Sequence, residues 1–219
     1  MSVGIASAAF SSSSVAPGDD VVLDVTWTVP EGHVWNGLEE LELFIVSQHG
    51  SVAEVIWDVE ANAFRFNTFA PNELGSPAPP GSRALFSSRE LGIDVSRSSV
   101  TDSGPDGRLV RLDFTLVFTN AASRQIFTVD VNARDRDNAV HYTPNVASIE
   151  VHPGCTGDCG HDGFVTVNEL ITGVDVTLGN LSLADCPFFD ADDDRTVTID
   201  ELIAAVNNAL GGCASENPR

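Results

Sequence analysis

The sequence predicts a mainly β protein, a sandwich of antiparallel strands over residues 1–152. A small α domain made of two loop-helix units follows over residues 153–219. Three observations predict this. Apolar and polar residues alternate in short runs through the first part, with no helical stretch between them. A stretch near the C-terminus is duplicated at an offset of 32 residues. All four cysteines lie in that duplicated part, as in a small domain stapled where its core is thin.

The chain has 219 residues, enough for one or two domains with real cores. Its balance is strongly acidic, with 32 Asp plus Glu against 11 basic residues, every one of them Arg, and a net charge of -21. Such a surface repels nucleic acid and anionic lipid, so neither is expected as a partner. No apolar run is long enough for membrane insertion. The opening MSVGIASAAF lacks the basic start and the apolar run of a signal peptide. With cysteines that read as disulfides, this suggests a mature secreted or cell-surface chain whose leader has been removed.

The alternation is clearest at Val21, Leu23, Val25, Trp27 and Val29, with Val22, Asp24, Thr26 and Thr28 on the opposite face. It recurs at Leu41, Leu43 and Ile45, at Val55 and Trp57, and at Val110, Leu112, Phe114, Leu116 and Phe118. It returns at Phe127, Val129, Val131 and Ala133, and a last strand fits Val146 to Val151. Period two with one apolar face is the mark of a half-buried antiparallel strand. Turn signals separate the runs: APGDD, PEGH, PNELGSPAPPG and DSGPDG. Seven to nine short strands in this span argue for a sandwich. Trp27 and Trp57 fall on inward registers and read as core. Trp35, between Gly32 and Gly37, suits a cap over the sandwich or a sugar platform. The Pro- and Gly-rich stretch Leu74 to Arg83 suits either a contact loop or an ordered surface excursion. Asp130, Asp135, Asp137 and Asn138 read as a solvated turn, because their spacing matches no cation loop.

The duplicated stretches are DCGHDGFVTVNE, Asp158 to Glu169, and DADDDRTVTIDE, Asp190 to Glu201. Each is twelve residues long and places oxygen donors at positions 1, 3, 5, 7, 9 and 12 of a calcium loop. The first offers Asp158, Asp162, the carbonyl of Phe164, Thr166 and Glu169, with Gly160 leaving position 3 without a side chain. The second offers Asp190, Asp192, Asp194, the carbonyl of Thr196, Thr198 and Glu201. Two calcium ions are therefore expected. Arg195 occupies position 6, where the turn favours glycine because φ is positive, at a cost of roughly 1 kcal/mol. Val165 and Val197 at position 8 are apolar in both loops and suit a short backbone bridge. A helical pattern follows each loop, with Leu170, Val174 and Leu178 at spacings of four, repeated by Leu202, Val206 and Leu210. Ten of 22 aligned positions are identical, which marks an internal duplication.

Four cysteines allow three pairings. Cys155–Cys213 would clasp the ends of this domain and leave Cys159–Cys186 to tie its halves. Zinc is disfavoured, because the spacing holds no pair of CxxC knuckles.

GDCGHDGFVTVNELITGV and FDADDDRTVTIDELIAAV resemble a dockerin domain, an EF-hand-type pair in which the first helix of each hand is missing. The resemblance covers residues 155 to 213. It implies docking onto a cohesin-like β-sandwich through loop positions 10 and 11, here Val167–Asn168 and Ile199–Asp200. The Ser-Thr pair of cellulosomal dockerins is absent there. More loosely, APGDDVVLDVTWTV, EVIWDVEANAFRF and VTDSGPDGRLVRLDFTLVFT resemble immunoglobulin-like repeats of bacterial secreted proteins. A cohesin-like jelly roll is the alternative for that part.

Catalysis finds little support. The five histidines are scattered, none in HExxH, and no GxSxG elbow or phosphate-cradling glycine loop occurs. The expectation is a non-catalytic extracellular adhesion or structural protein. Its calcium domain would dock onto a β-sandwich partner. That partner is either the next copy, giving a homopolymer in a head-to-tail filament or surface layer, or a separate cohesin-like receptor for a secreted glycan- or protein-binding module.

Overall fold

The computed structural model describes residues 4–68, 75–152, 154–160, 163–192 and 194–213. Eleven strands form in the first part: β1 (Ile5–Phe10), β2 (Ser14–Val15), β3 (Asp20–Thr28), β4 (Leu38–Ser47), β5 (Gly50–Asp58), β6 (Ala63–Asn67), β7 (Leu85–Ser87), β8 (Leu91–Asp102), β9 (Leu109–Phe118), β10 (Gln125–Asp135) and β11 (Val140–Val151). They build one sheet of order β1-β3-β9-β8-β7 and a second of order β2-β11-β10-β4-β5-β6. Every pairing is antiparallel except β2 with β11. The first edge is thus shared between the sheets, β1 joining β3 and β2 crossing to β11. This order matches the variable-type immunoglobulin arrangement with an added edge strand, rather than a jelly roll. The inter-sheet disulfide of antibody domains has no counterpart, since all cysteines lie further on.

The alternating residues fill the space between the sheets. Val21, Leu23, Val25 and Trp27 from β3 face the interior with Leu41, Leu43 and Ile45 from β4. Phe64 with Phe114, and Phe118 with Phe127, meet across the sheets at ring-centre distances of 4.9 Å. Trp35 closes one end, its indole N–H donating to the Gly104 carbonyl at 2.8 Å and its ring stacked on Trp57. That is the capping role. Within the stretch Leu74 to Arg83, residues 69–74 include Leu74, which lies outside the described residues. Beyond it, Phe64 and Ala78 exchange backbone bonds at 2.8 Å, so the excursion covers the free edge of β6. Asp135 accepts from the N–H groups of Asp137 and Ala139, a tight turn of the kind expected there.

The C-terminal part holds two helices, α1 (Val167–Thr177) and α2 (Ile199–Gly211), with one-turn 3-10 helices Leu183–Asp185 and Pro187–Phe189 between them. Its buried cluster is small: Cys186, Phe189, Val197 and Ala205, with Leu170, Val176 and Leu202 packed around it. Disulfides Cys155–Cys213 and Cys159–Cys186 form, the expected pairing. Among the described residues no free cysteine remains. Val165 and Val197 are both buried, but no backbone bridge joins them among the described residues.

The junction between the two parts is packed. A Cβ on Gly154 would lie 2.7 Å from the Phe188 ring and 3.6 Å from Pro17 Cδ. An open cleft of roughly 450 Å³ borders this contact, with Pro17, Asn120, Arg124, His152, Phe188 and Asn208 on its walls.

Candidate metal centre

Both loops wrap around their first residue. Asp158 is 5% exposed and its Oδ2 accepts from Gly163 N at 2.8 Å. Asp190 is 3% exposed and its Oδ2 accepts from Arg195 N at the same 2.8 Å. The sixth residue turns with positive φ in both, 83° at Gly163 and 70° at Arg195. Arg195 therefore holds a conformation that favours glycine, as the sequence implied.

Each loop closes through its twelfth residue. Glu201 Oε1 accepts from Ala191 N at 2.7 Å, and Oε2 accepts from Thr198 N at 2.7 Å and Thr198 Oγ1 at 2.9 Å. Glu169 repeats this with Gly160 N at 2.8 Å, Thr166 N at 2.7 Å and Thr166 Oγ1 at 2.8 Å. Burial raises the Glu169 carboxyl, but the N–H and hydroxyl of Thr166 and the N–H of Gly160 outweigh it. They hold that carboxyl below the ordinary glutamate range. Thr166 and Thr198 are also the N-caps of α1 and α2, each forming a capping box with its Glu. Their hydroxyls are thus engaged by the helix start, and a cation would meet them through water, as position 9 commonly does.

The second loop brings three of its six proposed donors together. One carboxylate oxygen from each of Asp190, Asp192 and Asp194 lies within 4.8 Å of the other two. At that spacing two unit charges repel by roughly 1–3 kcal/mol in a watery surface environment, so the cluster suits a hard divalent cation. Glu201 keeps a spare lone pair on Oε1, which accepts once, while Oε2 already accepts twice. Thr196, at position 7, follows the Arg195 turn. The first loop is poorer. Asp158, Thr166 and Glu169 take the matching places, and Phe164 at position 7 is 67% exposed. Gly160 supplies only its N–H, to Glu169. Asp162 lies outside the described residues.

The helices depart from expectation in one respect. The spacing of four in Leu170, Val174 and Leu178 does not mark the packed face. Leu170 and Leu202 pack inward, but Val174, Leu178, Val206 and Leu210 are 45%, 69%, 42% and 83% exposed. Four residues overshoot a turn, so such a row drifts about 40° per step around the helix and leaves the core. The inner face is completed by the small residues Gly173 and Ala205. A second apolar row is left outside: Val167, Ile171, Val174 and Leu178 on α1, and Ile199, Ile203, Val206 and Leu210 on α2, all exposed. The two rows match position for position across the duplication, and each opens on a residue at loop position 10, Val167 in one and Ile199 in the other. Ile171 and Ile203 escaped the sequence reading. Their signal was a helix more apolar than one buried face needs.

No protein-family model matches the chain, and no curated protein matches it. Among solved structures, a cohesin module from a Clostridium perfringens family 33 glycoside hydrolase is 12% identical, covering 69% of this chain and 98% of that one, with a TM-score of 0.29. A DUF4466 family protein from Parabacteroides merdae is 8% identical over 65% of this chain and 43% of that one, with a TM-score of 0.29. ACE19, the collagen binding subdomain of the Enterococcus faecalis surface protein ACE, is 9% identical over 67% of this chain and 95% of that one, with a TM-score of 0.24. These likenesses are distant, and the sandwich rests on its own strand pairing.

Proposed function

We propose that this is an extracellular, non-catalytic binding or assembly protein of two modules. In this reading the C-terminal module, ordered by two calcium ions in the manner of a dockerin, docks onto a β-sandwich partner. The observation that carries it is the duplicated apolar row on α1 and α2, left exposed at 42% or more in a module with little core of its own. Asp190, Asp192, Asp194 and Glu201 would hold one ion, and Asp158, Thr166, Glu169 and the carbonyl of Phe164 the other. Calcium would supply the positive charge that lets the acidic loops keep one shape. The paired disulfides suit an oxidising compartment, and no helix of the described residues is long and apolar enough to cross a membrane.

Two partners remain open to this face. If the partner is the sandwich of the next copy, the contact is heterologous and grows a filament. The net charge of -21 favours the second reading, a separate receptor with a basic rim, because two copies of this chain repel. Light scattering with calcium and then with a chelator separates them. Large assemblies that fall apart on chelation, and strengthen with salt as repulsion is screened, support self-docking. A monomer in both conditions assigns the face to a separate receptor. A protein that binds no calcium at all refutes the reading.

A further inference from the structure

We infer that Asn120, a residue of the sandwich, is a positioning residue for the second cation loop, an inference that rests on the calcium reading above. Asn120 opens the one-turn helix Asn120–Ala122 between β9 and β10. Its side-chain amide crosses the junction and donates to the Pro187 carbonyl at 3.1 Å and the Asp190 carbonyl at 3.4 Å. Asp190 is the first residue of the second loop, and its carboxylate gathers the N–H groups of Asp194 and Arg195 at 3.0 and 2.8 Å. One amide thus fixes the backbone entry from which the ligand cluster hangs.

The segment around that contact transmits it. Cys186 is tied to Cys159, and Phe188 lies against Gly154 where the linker passes. The Phe188 carbonyl accepts from Gly157 N at 3.1 Å, and Phe189 is fully buried in the helical cluster. The approach to the second loop is therefore held on one side by its own module and on the other by the sandwich. The first loop is held differently, by the Cys155–Cys213 bridge and by Asn208, whose amide donates to the Thr156 carbonyl at 2.9 Å.

The consequence is reciprocal. Whatever Asn120 adds to cation affinity at the second loop, a cation there must add to the grip between modules. Loading that loop then fixes the angle at which the sandwich presents the helix pair.

The test is calorimetric titration of the full chain with calcium alone. Five proteins are compared: wild type, N120A, N120D, E201Q and the double variant N120A with E201Q. E201Q keeps the capping box and removes one ligand charge from the second loop. N120A is expected to raise one of two dissociation constants roughly fivefold, equivalent to about 1 kcal/mol. E201Q marks which of the two dissociation constants belongs to the second loop, and N120A is expected to raise that constant and leave the other unchanged. N120D, isosteric but without the donor, should weaken the same site at least as much. Wild-type affinities in N120A, or weakening of the constant that E201Q leaves unchanged, would overturn the inference and leave calcium binding standing. Absence of calcium binding in the wild type would overturn the proposed function and this inference with it.

Discussion

Glu201→Ala tests how far the second loop depends on one carboxylate. Glu201 is 8% exposed and accepts from two backbone N–H groups and one hydroxyl, all within 2.9 Å. A hydrogen bond to a charged group contributes roughly 1.5–3 kcal/mol, and the half of a capping box it supplies about 1 kcal/mol. These overlap, and water reaches the loop, so a cost of about 3 kcal/mol is expected without cation. Among the described residues the module buries little more than Val165, Cys186, Phe189, Val197 and Ala205, so that loss is large against its total. For a unit of this size it lowers the melting temperature by on the order of 15 °C. The assay exploits the placement of all three tryptophans, Trp27, Trp35 and Trp57, in the sandwich. Their fluorescence follows that part, while the far-ultraviolet dichroism of α1 and α2 follows the other. In chelator the helical transition should fall and the tryptophan transition should stay. In calcium the gap between variant and wild type should widen, because the wild type gains binding energy that the variant lacks. Glu169→Ala should cost less, since that side chain is only half-buried. Coincident helical transitions for wild type and Glu201→Ala would refute the reasoning. An unchanged calcium stoichiometry would refute the loop assignment itself.

Gly173→Ala should destabilise the helical module by roughly 1–3 kcal/mol despite the better helix propensity of alanine. Its Cβ would sit 2.3 Å from the Phe189 ring, which is fully buried, and thermal melting of the dichroism reads the loss. Replacing Cys155 and Cys213 together by serine opens a bridge spanning 58 residues of sequence. The loop-entropy model gives about 4 kcal/mol, seen as a lower denaturant midpoint for the helices but not for tryptophan fluorescence. Glu54 is 8% exposed, and burial pushes its carboxyl above the usual range against the Asn67 amide, with the Glu42 charge adding to the rise. A raised acid destabilises the fold above its folded pKa, and that penalty is relieved as pH falls through the folded value toward the unfolded one. Glu54→Gln should therefore be more stable than wild type at pH near 7 and lose that advantage under mild acid, checked by urea unfolding at both; a variant less stable at neutral pH would count against this.

The sandwich was legible where side chains alternate cleanly. Val21 to Val29 and Val110 to Phe118 announce β3 and β9, because one apolar face in period two has no other use. β1 was not legible, since Ala6, Ala8 and Ala9 carry little side chain to alternate. β8 was hidden by the irregular register between Asp94 and Ser99, which interrupts Leu91, Ile93 and Val95 before the strand resumes. In the loops, the turns at Gly163 and Arg195 and the clustering of Asp190, Asp192 and Asp194 fall at the positions the spacing predicts. The outer apolar rows were not, because a four-residue spacing cannot tell a buried face from one that drifts past it. Asn120 left no trace at all. An asparagine before two alanines looks like any turn, and its partners lie 67 and 70 residues away.

The duplication is also less symmetric than its sequence suggests, and the reason lies in one pair of positions. Gly157 and Phe189 each stand just before the first residue of a loop, 32 residues apart. Each packs on the other unit's helix: Phe189 on Gly173 of α1, Gly157 on Ala205 of α2. A Cβ at Gly157 would lie 2.6 Å from that of Ala205, so the small residue there is fixed by the close approach and by its positive φ of 94°. The large side chain is thus spent on one side alone, and the two loops must be anchored by different means. The second has the buried Phe189 ring and the Asn120 amide at its entry. The first has no buried ring there; cysteines bracket it, Cys155 and Cys159 on either side of Asp158, and the Asn208 amide holds the Thr156 carbonyl just ahead of it. Covalent closure at the first loop and packing at the second do the same task, holding the leading aspartate in place. The Cys159–Cys186 bridge serves both loops, so reduction should loosen both, the first more because Cys155–Cys213 opens with it, while the Asn120 contact with the sandwich serves the second.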